Sequence, residues 1–367
     1  MSVRKKKRIL HVGTGKTGTS FIQETLAANP ATLARHGILY PSTGRHEVAA
    51  GHHKFHSALA SSKEWWMPEA SSPESALGAM LAEISEKNPD IVIISQEALV
   101  WLPPATVHRL GVTFAEFDVK IVIDFRRQDL YVDSALNQVV KAAGHKYSFE
   151  QLWRFDGSWF VPNYFELVDK WARTFGPASI VVRPFERSQV LGANILDDLF
   201  IRVLGYTVPI RGVDSNMTTN DRLCRQCVEF QRLMNWLFAE NPQVTREFST
   251  VLSTIGLRHG WDQYSILSDD VRKRIIKATQ PHNKAISDAF NYDVLGTIGL
   301  KDGLFIDPFK PSAENQYEGL SDEDAAVIVR YLKELKPELV STIEQAPGLA
   351  NLEASDRQRV ERIKSLF

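Results

Sequence analysis

The chain has 367 residues, 44% hydrophobic and 24% charged, a composition that excludes wholesale disorder and supports a core needing no staples. Lys and Arg number 43 against 44 Asp and Glu, so the net charge of −1 gives no argument for nucleic acid or an anionic membrane. Any anion site must therefore be a local arrangement of cations. Two cysteines exclude a disulfide framework and a four-cysteine zinc site.

At the start of the chain, Arg4-Lys5-Lys6-Lys7-Arg8 precedes Ile9-Leu10-His11-Val12 in the manner of a signal peptide. The apolar run stops at Gly13, whereas a secretory core needs about 7–15 apolar residues and a spanning helix about 20. The basic run reads as a solvated lead-in to a first strand. The expectation is a cytoplasmic protein without a membrane span, peripheral membrane contact through the basic arm staying open.

Continuous Val/Ile runs at Ile9–Gly13, Ile91–Ser95, Lys120–Phe125 and Ser179–Arg183 predict strands buried on both faces, hence a parallel sheet covered by helices. Gly37-Ile38-Leu39-Tyr40 adds a weaker fifth strand. Between them, Thr19–Ala28, Ser75–Lys87, Leu130–Ala143 and Tyr164–Phe175 carry helical periodicity. The alternation predicts an α/β three-layer sandwich with right-handed crossovers. Past about residue 215 strand signals fade. Ser215–Glu240, Asp269–Phe290 and Ser321–Ile343 then read as helices, the last opening on a Ser321 cap and an acidic first turn. The organisation expected is an α/β core over 1–215 and a mainly helical part over 216–367 packed on it.

The most informative segment runs from Gly13 to Ser20, Gly-Thr-Gly-Lys-Thr-Gly-Thr-Ser, between a buried strand and an amphipathic helix. Glycines let successive backbone N–H groups point inward, and the helix N-terminus adds about half a positive charge. Lys16 supplies a full charge and Thr17, Thr19 and Ser20 supply hydroxyls, which together make a phosphate cradle. The bland alternative is a tight turn in which glycine only relieves sterics. Gly13, Gly15 and Gly18 satisfy G-x-G-x-x-G, but no acidic residue stands near Ile38–Ser42 to hold a ribose. The Walker A pattern also fails, because it requires glycine where Leu10 stands.

This loop resembles the 5′-phosphosulfate loop of the sulfotransferases, which transfer a sulfuryl group from 3′-phosphoadenosine 5′-phosphosulfate (PAPS). A second element strengthens the resemblance: the strand Lys120–Phe125 runs into Arg126, with Ser134 eight residues later. Arg127-Gln128 replaces the family's usual Asn/Asp-Pro, and the segment looks like the bacterial branch that modifies carbohydrates. The resemblance implies a P-loop NTPase-like sulfotransferase fold with a C-terminal helical extension. It also implies PAPS as donor and PAP as product, with Gly15, Lys16, Thr17, Gly18, Thr19 and Ser20 around the 5′-phosphosulfate and Arg126 and Ser134 on the 3′-phosphate. An Arg fork and a helical Ser suit a phosphate; a surface ion pair of Arg126 or Arg127 with Asp129 or Asp133 is the alternative. Val181-Val182-Arg183-Pro184-Phe185-Glu186 and Asp214-Ser215-Asn216-Met217-Thr218 are also family-like, without a derivable role.

Such a transfer proceeds in line with charge building on the leaving oxygen, which Lys16 would stabilise. No metal is expected. His52-His53-x-x-His56 has a spacing that could hold zinc, but no carboxylate or Cys partner is near in sequence. Two residues are candidates for the general base: Glu97, just after the Ile91–Ser95 strand, and His53, on a Gly-flanked loop after the second strand. Each has a plainer role, Glu97 as an orienter of Lys16 and the histidines as surface residues. Cys224-x-x-Cys227 lies in a helical pattern and reads as core rather than redox. Trp65-Trp66-Met67 reads as core packing before a sugar platform. The reading is a sulfotransferase acting on a small-molecule or glycan hydroxyl or amine. Its rivals are a small-molecule kinase with a degenerate loop, which would need Mg²⁺ ligands but neither Arg126 nor Ser134, and a nucleotide-binding protein without turnover.

Overall fold

The structure is a computed structural model and describes residues 5–47, 49–61, 71–154, 161–212, 222–238, 241–262, 264–290, 303–312, 319–346 and 353–367. Trp65-Trp66-Met67 and Asp214-Ser215-Asn216-Met217-Thr218 lie outside the described residues. In chain order come β1 (Lys7–His11), α1 (Thr19–Ala28), α2 (Pro30–Arg35), β2 (Ile38–Leu39), α3 (His53–Ala60), α4 (Pro73–Lys87) and β3 (Ile91–Ser95). A 3-10 helix (Glu97–Trp101) then precedes α5 (Pro104–Thr113), β4 (Asp118–Phe125), α6 (Gln128–Ala143), α7 (Phe149–Arg154), α8 (Tyr164–Phe175), β5 (Ile180–Pro184) and α9 (Ile195–Leu204). Helices complete the chain: α10 (Arg225–Phe238), α11 (Pro242–His259), α12 (Asp269–Ala289), α13 (Asp322–Leu335), α14 (Pro337–Glu344) and α15 (Ala354–Lys364).

The chain divides into two compact units, each discontinuous in sequence. The first comprises Met1–Arg127, Asn163–Thr218 and Thr279–Pro308, the second Gln128–Pro162, Thr219–Ala278 and Phe309–Phe367. In the first, a five-stranded parallel sheet has the order β2-β3-β1-β4-β5. Strand side chains alternate between two helix-covered faces, as the period of two requires. Leu10, Ile94, Ile121, Ile123 and Val182 join Phe55, Met80, Leu110 and Trp171 from α3, α4, α5 and α8. Ile9, Ile93, Val122 and Val181 join Ile22, Leu26, Leu33, Leu199 and Phe200 from α1, α2 and α9. This is the expected three-layer α/β sandwich, and all five described strands precede residue 215. Because β1 is central, the chain goes first to one side for β2 and β3 and then to the other for β4 and β5. Ligands of open parallel sheets bind outside the strands' carboxyl ends at such a reversal.

The second unit is helical. Val140 of α6 packs with Phe230, Leu233, Phe248, Leu252, Ile328 and Val360 from α10, α11, α13 and α15. Arg232 of α10, buried, ties this core by bonding Glu229, Asp356 of α15 and the Lys146 carbonyl. Two helices differ from the sequence reading. The 321–343 stretch breaks at Lys336, where Pro337 takes the first position of α14 because proline cannot continue α13. The 215–240 stretch is helical only from Arg225 among its described residues, so Cys224 precedes α10 rather than lying inside it. Cys224 and Cys227 are both free and buried, and Gly256 of α11 packs against them. Among the described residues no helix is long and apolar enough to cross a membrane.

Candidate active site at the carboxyl ends of the central strands

The glycine loop is shaped by close backbone approach. The β1–β4 ladder continues beyond the strand, with Val12 N donating to Val122 O at 2.9 Å and Thr14 N to Asp124 O at 2.9 Å. A Cβ on Gly13 would stand 2.8 Å from both the N and the Cβ of Asp124, so only glycine lets the loop run this close. Thr14 Oγ1 donates to the same Asp124 carbonyl at 2.9 Å, and Thr17 Oγ1 donates to Thr14 O at 2.7 Å. The Thr17 hydroxyl, expected as a ligand donor, thus pins the loop to itself, and the residue is wholly buried. Gly18 has φ 76° and precedes α1 without any side-chain cap. Lys16, a non-glycine, also sits in the left-handed region at φ 68°, a conformation that costs energy and concentrates at ligand clamps. Thr19 is buried and Ser20 exposed in the first turn of α1.

Three neighbouring strands deliver residues here. After β4, Arg126 Nη1 donates to the Lys16 carbonyl at 3.4 Å, and the Arg126 carbonyl is held by Tyr164 Oη at 2.7 Å. After β3, Glu97 begins the 3-10 helix, its Cγ 3.7 Å from where a Cβ on Gly15 would be. Lys16, Arg126 and Glu97 therefore meet around one loop. Arg127 instead donates to Asp307 O at 2.9 Å. In the second unit, Ser134 is half-buried on α6. There, too, Asp129 pairs with Arg272 and Asp133 with Arg222.

The histidines separate in role. His53 starts α3 rather than lying in a loop, and its Nδ1 bonds Gln96 Nε2. His52 is wholly buried: its Nδ1 accepts from Ser95 N at 3.1 Å, and Nε2 meets the Pro41 carbonyl at 3.1 Å. Burial pushes its pKa down to about 4, leaving a neutral ring that ties the 41–52 connection to β3. With both nitrogens occupied, His52 is no zinc ligand. No group of three His, Cys, Asp or Glu among the described residues could hold a metal ion.

Beneath the loop lies a polar network that the sequence reading did not assemble. His11 Nδ1 bonds Ser95 Oγ at 2.8 Å and Nε2 bonds Asp124 Oδ2 at 2.9 Å. Asp124 faces Arg183 across the β4–β5 register, with Nη1 to Oδ1 at 3.1 Å. Asp198 accepts from Arg183 Nε at 2.7 Å and from Arg202 Nε at 2.8 Å. Burial disfavours the Asp124 carboxylate, but Arg183 and His11 outweigh it and hold its pKa below the usual range. Ser95, His11 and Asp124 have the connectivity of a nucleophilic triad. At 0%, 1% and 2% exposure they reach no substrate and serve as a scaffold. The available signal was charge inside apolar strands: Asp124 in Ile-Val-Ile-Asp-Phe and Arg183 in Val-Val-Arg-Pro.

No family model matches the chain, and no curated protein sequence matches it. Among solved structures it is similar to a crystallised sulfotransferase from Alicyclobacillus acidocaldarius, with a TM-score of 0.42 and 16% identity, over 80% of this chain and 98% of that one. A likeness of that size leaves the chemistry to be argued from the site itself.

Proposed function

We propose that this protein is a PAPS-dependent sulfotransferase acting on a hydroxyl or amine of a carbohydrate or glycoconjugate. The observation that carries the reading is the Arg126–Lys16 contact: a strained, lysine-bearing glycine loop after β1 is bonded by the arginine that follows β4. The resemblance to sulfotransferases puts the loop and this arginine at one donor, whereas a dinucleotide or Walker loop calls for no arginine there. The residues fit an anionic donor. The α1 N-terminus has no side-chain cap to compete for its amides, Lys16 and Arg126 supply cations at one loop, and Gly15 leaves open space bounded by Glu97.

When bound, PAPS supplies the sulfuryl group and PAP as leaving group. Lys16 and the loop amides would stabilise charge on the leaving oxygen as the sulfur–oxygen bond breaks. Arg126 would hold the 3′-phosphate, the role that the sulfotransferase resemblance also gives to Ser134. Glu97 would take the proton of the acceptor as its oxygen or nitrogen joins the sulfur, and His53 would contact the acceptor.

Thermal unfolding with PAP, ADP and NAD⁺ in the presence of EDTA tests the donor, because a ligand of the native state raises apparent stability. PAP is expected to stabilise more than ADP through its 3′-phosphate, charge-assisted contacts being worth about 1.5–3 kcal/mol each. Equal shifts, or no PAP binding in EDTA, would overturn the reading. Transfer of ³⁵S from labelled PAPS to a panel of sugars would then identify the acceptor.

A further inference from the structure

Among the described residues no ion pair joins Glu97 to a Lys or Arg. Its Oε2 accepts a hydrogen bond from Nε2 of Gln23 at 3.0 Å, and the same nitrogen lies 3.3 Å from Ser95 Oγ. Gln23 is on α1, 4% exposed. A carboxylate only accepts, so the amide must turn its NH₂ end to Glu97. Its oxygen end then faces Gly51, where a Cβ would stand 2.7 Å from Oε1 and 2.9 Å from Cδ. Glycine at 51 is what leaves room for the amide. From Ser95 the hydrogen bonds continue to His11, Asp124, Arg183 and Asp198. One amide thus links the carboxylate beside the loop to the buried network of the sheet.

We propose that Gln23 is the positioning residue for Glu97, with Gly51 as the gap that sets its amide. The proposal rests on the reading of Glu97 as proton acceptor. An amide suits such a role because it restrains a carboxylate without supplying the counter-charge that Lys or Arg would bring. A base displaced by about 1 Å can lose about 10²-fold in rate while ligand binding survives.

The test is steady-state sulfuryl transfer by the full chain, with PAP affinity read in parallel by thermal shift. Gln23→Leu is expected to lower kcat about 10²-fold and to leave PAP affinity and the KM for PAPS unchanged. Gly51→Ala keeps every functional group but pushes the amide aside, so kcat falls in the same direction; it also serves if Gln23→Leu does not fold. In a Glu97→Gln background neither change is expected to add a further loss, since positioning acts only through the carboxylate. Wild-type kcat in both variants, or losses that add fully to that of Glu97→Gln, would overturn the proposal. If the wild-type protein transfers no sulfuryl group, the functional reading has failed. Side-chain amide spectra of ¹⁵N-glutamine-labelled protein then decide the positioning alone. The Gln23 NH₂ signals must shift in Glu97→Gln and in Gly51→Ala, and signals unmoved by either would refute it.

Discussion

Asp124→Asn keeps the shape of the side chain and removes one charge from the buried network. In the native protein Asp124 and Asp198 face Arg183 and Arg202, two charges of each sign, all nearly excluded from water. After the change two guanidinium groups share one carboxylate, and an uncompensated positive charge stays buried. Breaking a buried pair from one side costs about 3–5 kcal/mol, a large part of the 5–15 kcal/mol that a protein has. At about 2–4 °C per kcal/mol for a unit of this size, the melting temperature should fall by about 10 °C. Because the site is dry, raising salt should change this little. Adding Arg183→Met to Asp124→Asn leaves Asp198 with Arg202, one charge each, and should recover part of the loss. Differential scanning calorimetry of the single and double variants checks both. A single variant within about 2 °C of the parent, or a double variant as unstable as the sum of its parts, would refute the charge-balance argument.

Lys16→Ala should cut sulfuryl transfer by about 10²–10³ with the fold intact by circular dichroism; a near-normal rate would make the loop purely structural. Glu97→Gln should lose about 10²–10⁴ in kcat with PAP affinity unchanged, while His53→Ala should act mainly on the KM of the acceptor; the reverse pattern exchanges the two roles. His52 has a folded-state pKa of about 4 against about 6.5 unfolded, so the unfolded chain takes the proton first as pH falls. Its contribution is fully present above pH 6.5 and is lost between about 6.5 and 4, amounting to about 2 kcal/mol from pH 7 to 5; urea midpoints of the wild type and His52→Asn at the two pH values should show the slope flattened in the variant. Ser321 accepts from Asp324 N at 3.1 Å as the cap of α13, and Ser321→Ala should lower stability by about 1 kcal/mol in chemical denaturation.

The elements most legible in the sequence were those whose local signal and tertiary role agree. Ile91–Ser95, Thr19–Ala28 and Tyr164–Phe175 have the bounds that periodicity predicts, because each is a buried run or an amphipathic stripe with a clear stop. Sequence pattern did not single out α5, α9 and α11: Pro104 and Pro242 open α5 and α11 and Asn194 caps α9, residue types that are equally common in turns and loops. In the site, the glycine loop and Arg126 were visible because their residue types are unusual together. His11, Ser95, Gln23 and Arg202 were not. They are ordinary residues scattered over 191 positions, and only the strand order β3-β1-β4-β5 makes them neighbours.

That strand order also has a consequence for synthesis. The scaffold under the loop needs His11 and Asp124 early and Arg183 and Arg202 late. At about 5–20 residues per second, Asp124 leaves the ribosome about 3–12 s before Arg183, its partner, can follow it. For that interval β1, β3 and β4 are available to pair, but the Asp124 carboxylate has no guanidinium partner and resists burial. The Thr14 bonds of the glycine loop wait only on β4 lying in register, while the charge balance beneath the loop waits on β5 and α9. A chain released near residue 180 should therefore be recognised by the cell as unfinished, although four of its five strands are complete.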